Sequence, residues 1–140
     1  MKKIKKIVFA ALIITGAIVT TSVSAVQIIN IVDVTLSSFS GISRTTITSK
    51  SVYGEQRVKT TKAKDQITGG GRAISVCTES QGGTTSSWIY APANTLVGWD
   101  SAQANGNYST GSYMLKVKAS KSTLAKVTYS GTWYIDSQGW

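Results

Sequence analysis

The sequence predicts an all-β protein: a single antiparallel β-sandwich of about seven strands behind an N-terminal signal peptide, with a small β-barrel as the alternative. Three observations carry this. Past residue 25 the chain is dominated by Ser, Thr, Val, Ile, Tyr and Gly. No apolar stretch longer than a turn repeats at helical spacing, whereas short period-2 runs recur. Clusters of Gly, Ser and Asn separate those runs.

Residues 1–25 read as the leader. Lys2, Lys3, Lys5 and Lys6 form a basic start, residues 7–19 are apolar and uncharged, and Val23-Ser24-Ala25 has the small side chains a signal peptidase requires. The apolar run is shorter than the roughly 20 residues that span a bilayer. The expectation is therefore a secreted, extracellular domain of residues 26–140 rather than a membrane anchor.

Within that domain residues 27–36 form the first run, with Ile28, Val32, Val34 and Leu36 on one face and Ile29, Ile31, Asp33 and Thr35 on the other. Residues 42–48 follow as a weaker, Thr-rich strand. Residues 56–62 make a polar strand, with Arg57 and Lys59 facing away from Val58 and Thr60. Gly69-Gly70-Gly71 is the strongest turn signal, since glycine accepts positive φ without steric cost. Residues 72–79 come next, ended by Gly82-Gly83. Residues 87–91 are a short aromatic strand stopped by Pro92, and residues 93–111 are the longest irregular stretch. Tyr113, Leu115, Val117 and Ala119 alternate with polar neighbours, as do Ala125, Val127, Tyr129, Trp133 and Ile135. These two runs read as an antiparallel hairpin that puts Lys126 opposite Lys118 or Lys116 on its solvent face.

Four of the fifteen basic residues lie in the leader, so residues 26–140 hold eleven against six acidic ones, a net charge of +5. A moderate positive charge outside the cell favours an anionic cell-envelope polymer or lipid surface as partner, with carbohydrate as a further candidate; nucleic acid is not expected. Plain solubility accounts for the charge equally well. Cys77 is the only cysteine; it forms no disulfide within the chain and is expected to be buried.

Histidine is absent, which excludes Ser-His-Asp and Cys-His catalysis and the usual zinc and copper ligand sets. The six carboxylates, Asp33, Glu55, Asp65, Glu79, Asp100 and Asp136, are scattered and read as solvated. No calcium loop or phosphate-cradling loop occurs. No enzymatic activity, metal or cofactor is expected. Two groups remain as anion-binding candidates: Arg57, Lys59, Lys62 and Lys64, and then Lys116, Lys118 and Lys126 with Lys121 nearby. Lysines also blunt strand edges against aggregation, which accounts for them without a ligand. Trp88, Tyr90, Trp99 and Tyr108 are aromatic contact candidates, set against the commoner role of covering the open end of a sandwich.

Tyr129-Ser130-Gly131-Thr132-Trp133 followed by Asp136-Ser137, after a leader and a Gly/Ser-rich β domain, resembles the ending of small exported Gram-positive proteins of bacteriocin-like or prophage-associated type. The resemblance covers about 30 C-terminal residues and carries no functional residue with it. The expected function is non-enzymatic binding at a cell envelope or in an extracellular matrix, bacteriocin-like in one version. The alternatives are a structural matrix protein assembling through strand edges and a carbohydrate-binding module.

Overall fold

The computed structural model describes residues 6–10, 17–23, 26–38, 41–121 and 124–136. The leader's lysines up to Lys5, Ser24 and Ala25 at the expected cleavage site, Ser137 and Trp140 lie outside the described residues.

In chain order the elements are β1 (Lys6–Ala10), β2 (Ala17–Val23), β3 (Val26–Leu36), β4 (Ser43–Arg44), β5 (Thr48–Lys50), β6 (Arg57–Asp65), β7 (Ile74–Ser80), β8 (Ile89–Tyr90), β9 (Leu96–Gly98), α1 (Ser101–Ala104), β10 (Gly111–Ala119) and β11 (Val127–Tyr134). The first sheet runs β1-β2-β3-β11-β6-β9 and the second β4-β10-β7-β8, with β5 also paired to β10. Neighbouring strands are antiparallel, and the two sheets pack face to face as a sandwich. Ile29, Leu36, Val58, Val127, Trp133 and Ile135 from the first sheet meet Ile74, Val76 and Leu115 from the second, all within 1% of complete burial.

Among the described residues from 26 onward there are nine strands rather than about seven. The Thr-rich run at 42–48 divides into β4 and β5, and the stretch read as irregular holds β9 and α1. Strands of two or three residues are too short for alternation to register. β1 and β2, within the segment read as leader, form a hairpin whose second strand pairs with the outer edge of β3.

The expected hairpin between the last two runs does not form. β10 pairs with β4, β5 and β7, and β11 with β3 and β6, so the chain crosses from one sheet to the other between them. Both apolar faces still point inward, because two strands facing each other across a core and two strands paired side by side display the same alternation. No lysine therefore opposes Lys126; Lys116 lies opposite Arg44 and Cys77, and Lys118 opposite Ser75.

The faces of β3 and β6 also depart from strict alternation. Gly131 pairs with Ile31 but Tyr129 with Val34, so β3 carries one extra residue, and Asp33 sits there at φ 48°. This bulge resets the alternation: Ile29, Ile31, Val34 and Leu36 are buried, whereas Val32 is 47% exposed. The grouping of Ile28 and Val32 with Val34 and Leu36 fails for that reason. β6 does the same opposite the same glycine, with Gly131 on Thr60 and Ser130 on Lys62. Strict alternation would turn Lys62 and Lys64 toward the core beside Val58 and Thr60; the extra residue, Thr61, returns both to the outer face. There they join Arg57 and Lys59.

Candidate functional site

Met114, Lys116 and Lys118 alternate on the outward side of β10, where Lys118 is half-buried and Lys116 only 9% exposed, and the sheet carries the two lysines into a cluster. Arg44 on β4 flanks Lys116 on one side and Cys77 on β7 on the other. Trp88, just before β8, reaches over from beyond β7: Lys118 Nζ lies 4.2 Å and Lys116 Nζ 5.8 Å from the centre of its ring. Both separations are within cation–π range. Lys116 Nζ also meets Glu79 Oε2 at 2.7 Å. This hydrogen bond holds the Glu79 carboxyl below its usual range, against a small opposing effect of burial. Tyr90, 57% exposed, extends the aromatic surface. The outer face of the second sheet thus gathers three cations, one carboxylate, an indole and a phenol.

Beneath them Cys77 is fully buried and unpaired. Burial pushes its thiol up to about 11, outweighing the nearby cations. It is packing, not a nucleophile, because reactivity requires the thiolate.

Four of the eight other cations between residues 26 and 136 are engaged elsewhere, and within the cluster Lys116 is itself paired with Glu79. Among the described residues ion pairs join Lys50 to Asp136, Arg57 to Glu55, Lys62 to Asp33, Arg72 to Asp65 and Lys116 to Glu79. The sixth carboxylate, Asp100, caps α1 by accepting from the Gln103 amide at 2.8 Å. Asp65 and Asp136 are 2% and 0% exposed, so the reading of all six carboxylates as solvated is wrong for these two. Each is buried against a cation and backbone amides, as a buried charge requires. Among the described residues no three His, Cys, Asp or Glu side chains gather as a metal site.

The structure separates the remaining candidates. Arg57, Lys59, Lys62 and Lys64 line the outer face of the opposite sheet, where Lys62 is bound to Asp33 at 2.9 Å and Arg57 to Glu55 at 3.0 Å. Lys126 is exposed at the entry to β11, away from Lys116 and Lys118, and its carbonyl accepts from the Gln66 amide. Trp99 is 1% exposed, and its indole N–H donates to the Ser87 carbonyl at 2.8 Å. The Tyr108 hydroxyl donates to the Trp99 carbonyl at 2.8 Å, and its ring meets Tyr53 edge-on at 5.9 Å. These two rings tie down the segment around α1 and offer a ligand little surface. Of the four aromatic candidates, Trp88 and Tyr90 remain on the face with the lysines.

Arg44 is the member of the cluster that the sequence does not single out. It is an isolated arginine in a Ser/Thr stretch, and only the β4–β10 pairing brings it to Lys116. A comparison with protein-family models, curated proteins and solved structures finds no match to this chain.

Proposed function

We propose that this chain is exported and acts outside the cell as a non-enzymatic binding protein. Its ligand is an anionic polymer of a cell envelope, held on the outer face of the second sheet. The observation that carries this reading is the placement of Lys116 and Lys118 over the Trp88 ring, with Arg44 beside Lys116 and a single carboxylate, Glu79, among them. A strand face with Arg44 and Lys116 on one rung and Lys118 two residues along suits an extended polyanion, whose charges repeat along its length. Trp88 keeps the lysine heads in place, so less side-chain freedom is lost on binding. The presequence pattern supports action outside the cell, and a bacteriocin-like role is one form it takes.

Co-sedimentation of the protein with isolated bacterial walls, across a salt series, tests the reading. Binding should weaken steeply as salt rises, because exposed charges are screened over about 8 Å at physiological ionic strength. Arg44→Gln with Lys118→Gln should abolish it while the circular dichroism spectrum stays unchanged. Lys59→Gln with Lys64→Gln, on the opposite sheet, should leave most of it. Salt-insensitive binding that is lost with Trp88→Ala and Tyr90→Ala would replace this reading with a neutral carbohydrate ligand. Binding to anionic vesicles but not to walls would replace it with a lipid surface.

A further inference from the structure

We propose that the outer edge of β3, residues 26–32, pairs antiparallel with the same edge of a second copy once the leader has been removed. The inference rests on removal of the leader, as proposed above. In the uncleaved chain β2 covers this edge, in register from Ala17 opposite Val32 to Val23 opposite Val26. The edge therefore accepts an antiparallel strand over seven residues, and cleavage after Ala25 leaves it open.

An open strand edge presents unpaired N–H and C=O groups, and proteins ordinarily blunt it with charge, proline or shortness. Residues 26–32, Val-Gln-Ile-Ile-Asn-Ile-Val, contain no charge, no proline and no glycine. Uncharged, β-branched segments of this kind favour strand pairing. The other sheet borders are protected by shortness: β9 and β5 have three residues each, β8 and β4 two. With β2 removed, β3 at eleven residues is the longest terminal strand of the two sheets.

The occupant follows from symmetry. A two-fold axis at Ile29 sets Val26 opposite Val32, Gln27 opposite Ile31 and Ile28 opposite Asn30, so apolar or neutral groups meet at every rung. No like charges oppose each other, as a self-complementary interface needs. The bulge at Asp33 ends the pairing where β2 ends it in the uncleaved chain. Because the opposite border of the sheet, β9, is short, the assembly closes at two copies.

The test uses the full chain with a site-specific protease sequence inserted after Ala25. The chain is cleaved, freed of the leader by gel filtration, checked by mass spectrometry and circular dichroism, and examined by sedimentation velocity at micromolar concentrations. The expected result is a dimer. Ile28→Lys with Val32→Lys, both outside the core, should give a folded monomer after cleavage, and Leu96→Lys on β9 should leave the dimer intact. A folded monomer from the unmutated, leader-free chain overturns the proposal. So do oligomers larger than two, or a dimer that survives the Ile28→Lys and Val32→Lys changes. Natural processing is read separately, by N-terminal sequencing of the exported protein, so its failure is not confused with failure of the edge to pair.

Discussion

At the residue scale the largest stakes lie in two buried carboxylates. Asp136 accepts from the Ser51 and Val52 amides at 3.1 and 3.0 Å and from the Ser51 hydroxyl at 3.0 Å, with the Lys50 ammonium 3.8 Å away. Lys50 in turn donates to the Val52 carbonyl. Burial lowers the Lys50 pKa while the Asp136 carboxylate opposes that shift. Asp136→Ala strands a buried ammonium and two amides at once. It should cost about 3–5 kcal/mol in urea unfolding, and Lys50→Met should cost less, because Asp136 keeps its three donors. Asp65 is the second case. It accepts from Arg72 and from the Ile67 and Thr68 amides, and Arg72 chiefly holds its carboxyl below the usual range. A carboxyl with a lowered folded-state pKa binds fewer protons when native, so it stabilises fully above about pH 4 and loses that effect as pH falls further. Asp33 and Glu79 are shifted the same way, by Lys62 and Lys116. Thermal unfolding measured downward from pH 5 should therefore show a falling melting temperature, with a shallower fall in Asp65→Asn. The spacing of these carboxylates in the sequence conceals their burial, because the Lys50–Asp136 pair joins β5 to the far end of β11.

At the scale of elements, alternation proved legible for faces and not for pairings. Tyr113, Leu115, Val117, Val127, Tyr129 and Trp133 are buried as their spacing demands, yet their strands belong to different sheets. The two bulges were hidden because an inserted residue leaves the composition of a run unchanged while reversing its phase. Both bulges flank Gly131, whose position tolerates no side chain: a Cβ there would lie 2.5 Å from the Tyr129 hydroxyl and 2.9 Å from the Lys59 carbonyl. That hydroxyl and the Thr60 hydroxyl are buried neighbours, and neither makes a well-formed hydrogen bond. Desolvation pushes the Tyr129 phenol up to about 12, with Thr60 opposing. Tyr129→Phe should accordingly be neutral or mildly stabilising. Gly131→Ala should cost about 1–3 kcal/mol by overpacking. The double variant should recover part of that loss and not all, since the Lys59 carbonyl remains in the way. Chemical denaturation of the three proteins checks the order.

For the molecule as a whole, a polar chain through the interior links the sheets. The Trp133 indole donates to the Gln56 side chain at 3.1 Å, Gln56 donates to the Asn107 carbonyl at 2.9 Å, and Asn107 donates to the Thr78 carbonyl and hydroxyl. Gln56→Leu leaves a buried indole N–H and a carbonyl without partners and should lower stability by about 1–3 kcal/mol. The all-β class and the core were open to sequence reasoning; the charged face was not, because Arg44 reaches Lys116, and Trp88 reaches Lys116 and Lys118, only through strand order. That order also has a temporal side. β11 is made some 90 residues after β3 yet inserts between β3 and β6, so the first sheet has no centre until residues 127–134 have been synthesised. Contacts this distant in sequence make folding slow. A chain ending at residue 126 should show no cooperative thermal transition, and adding a separate peptide of residues 127–140 should restore one.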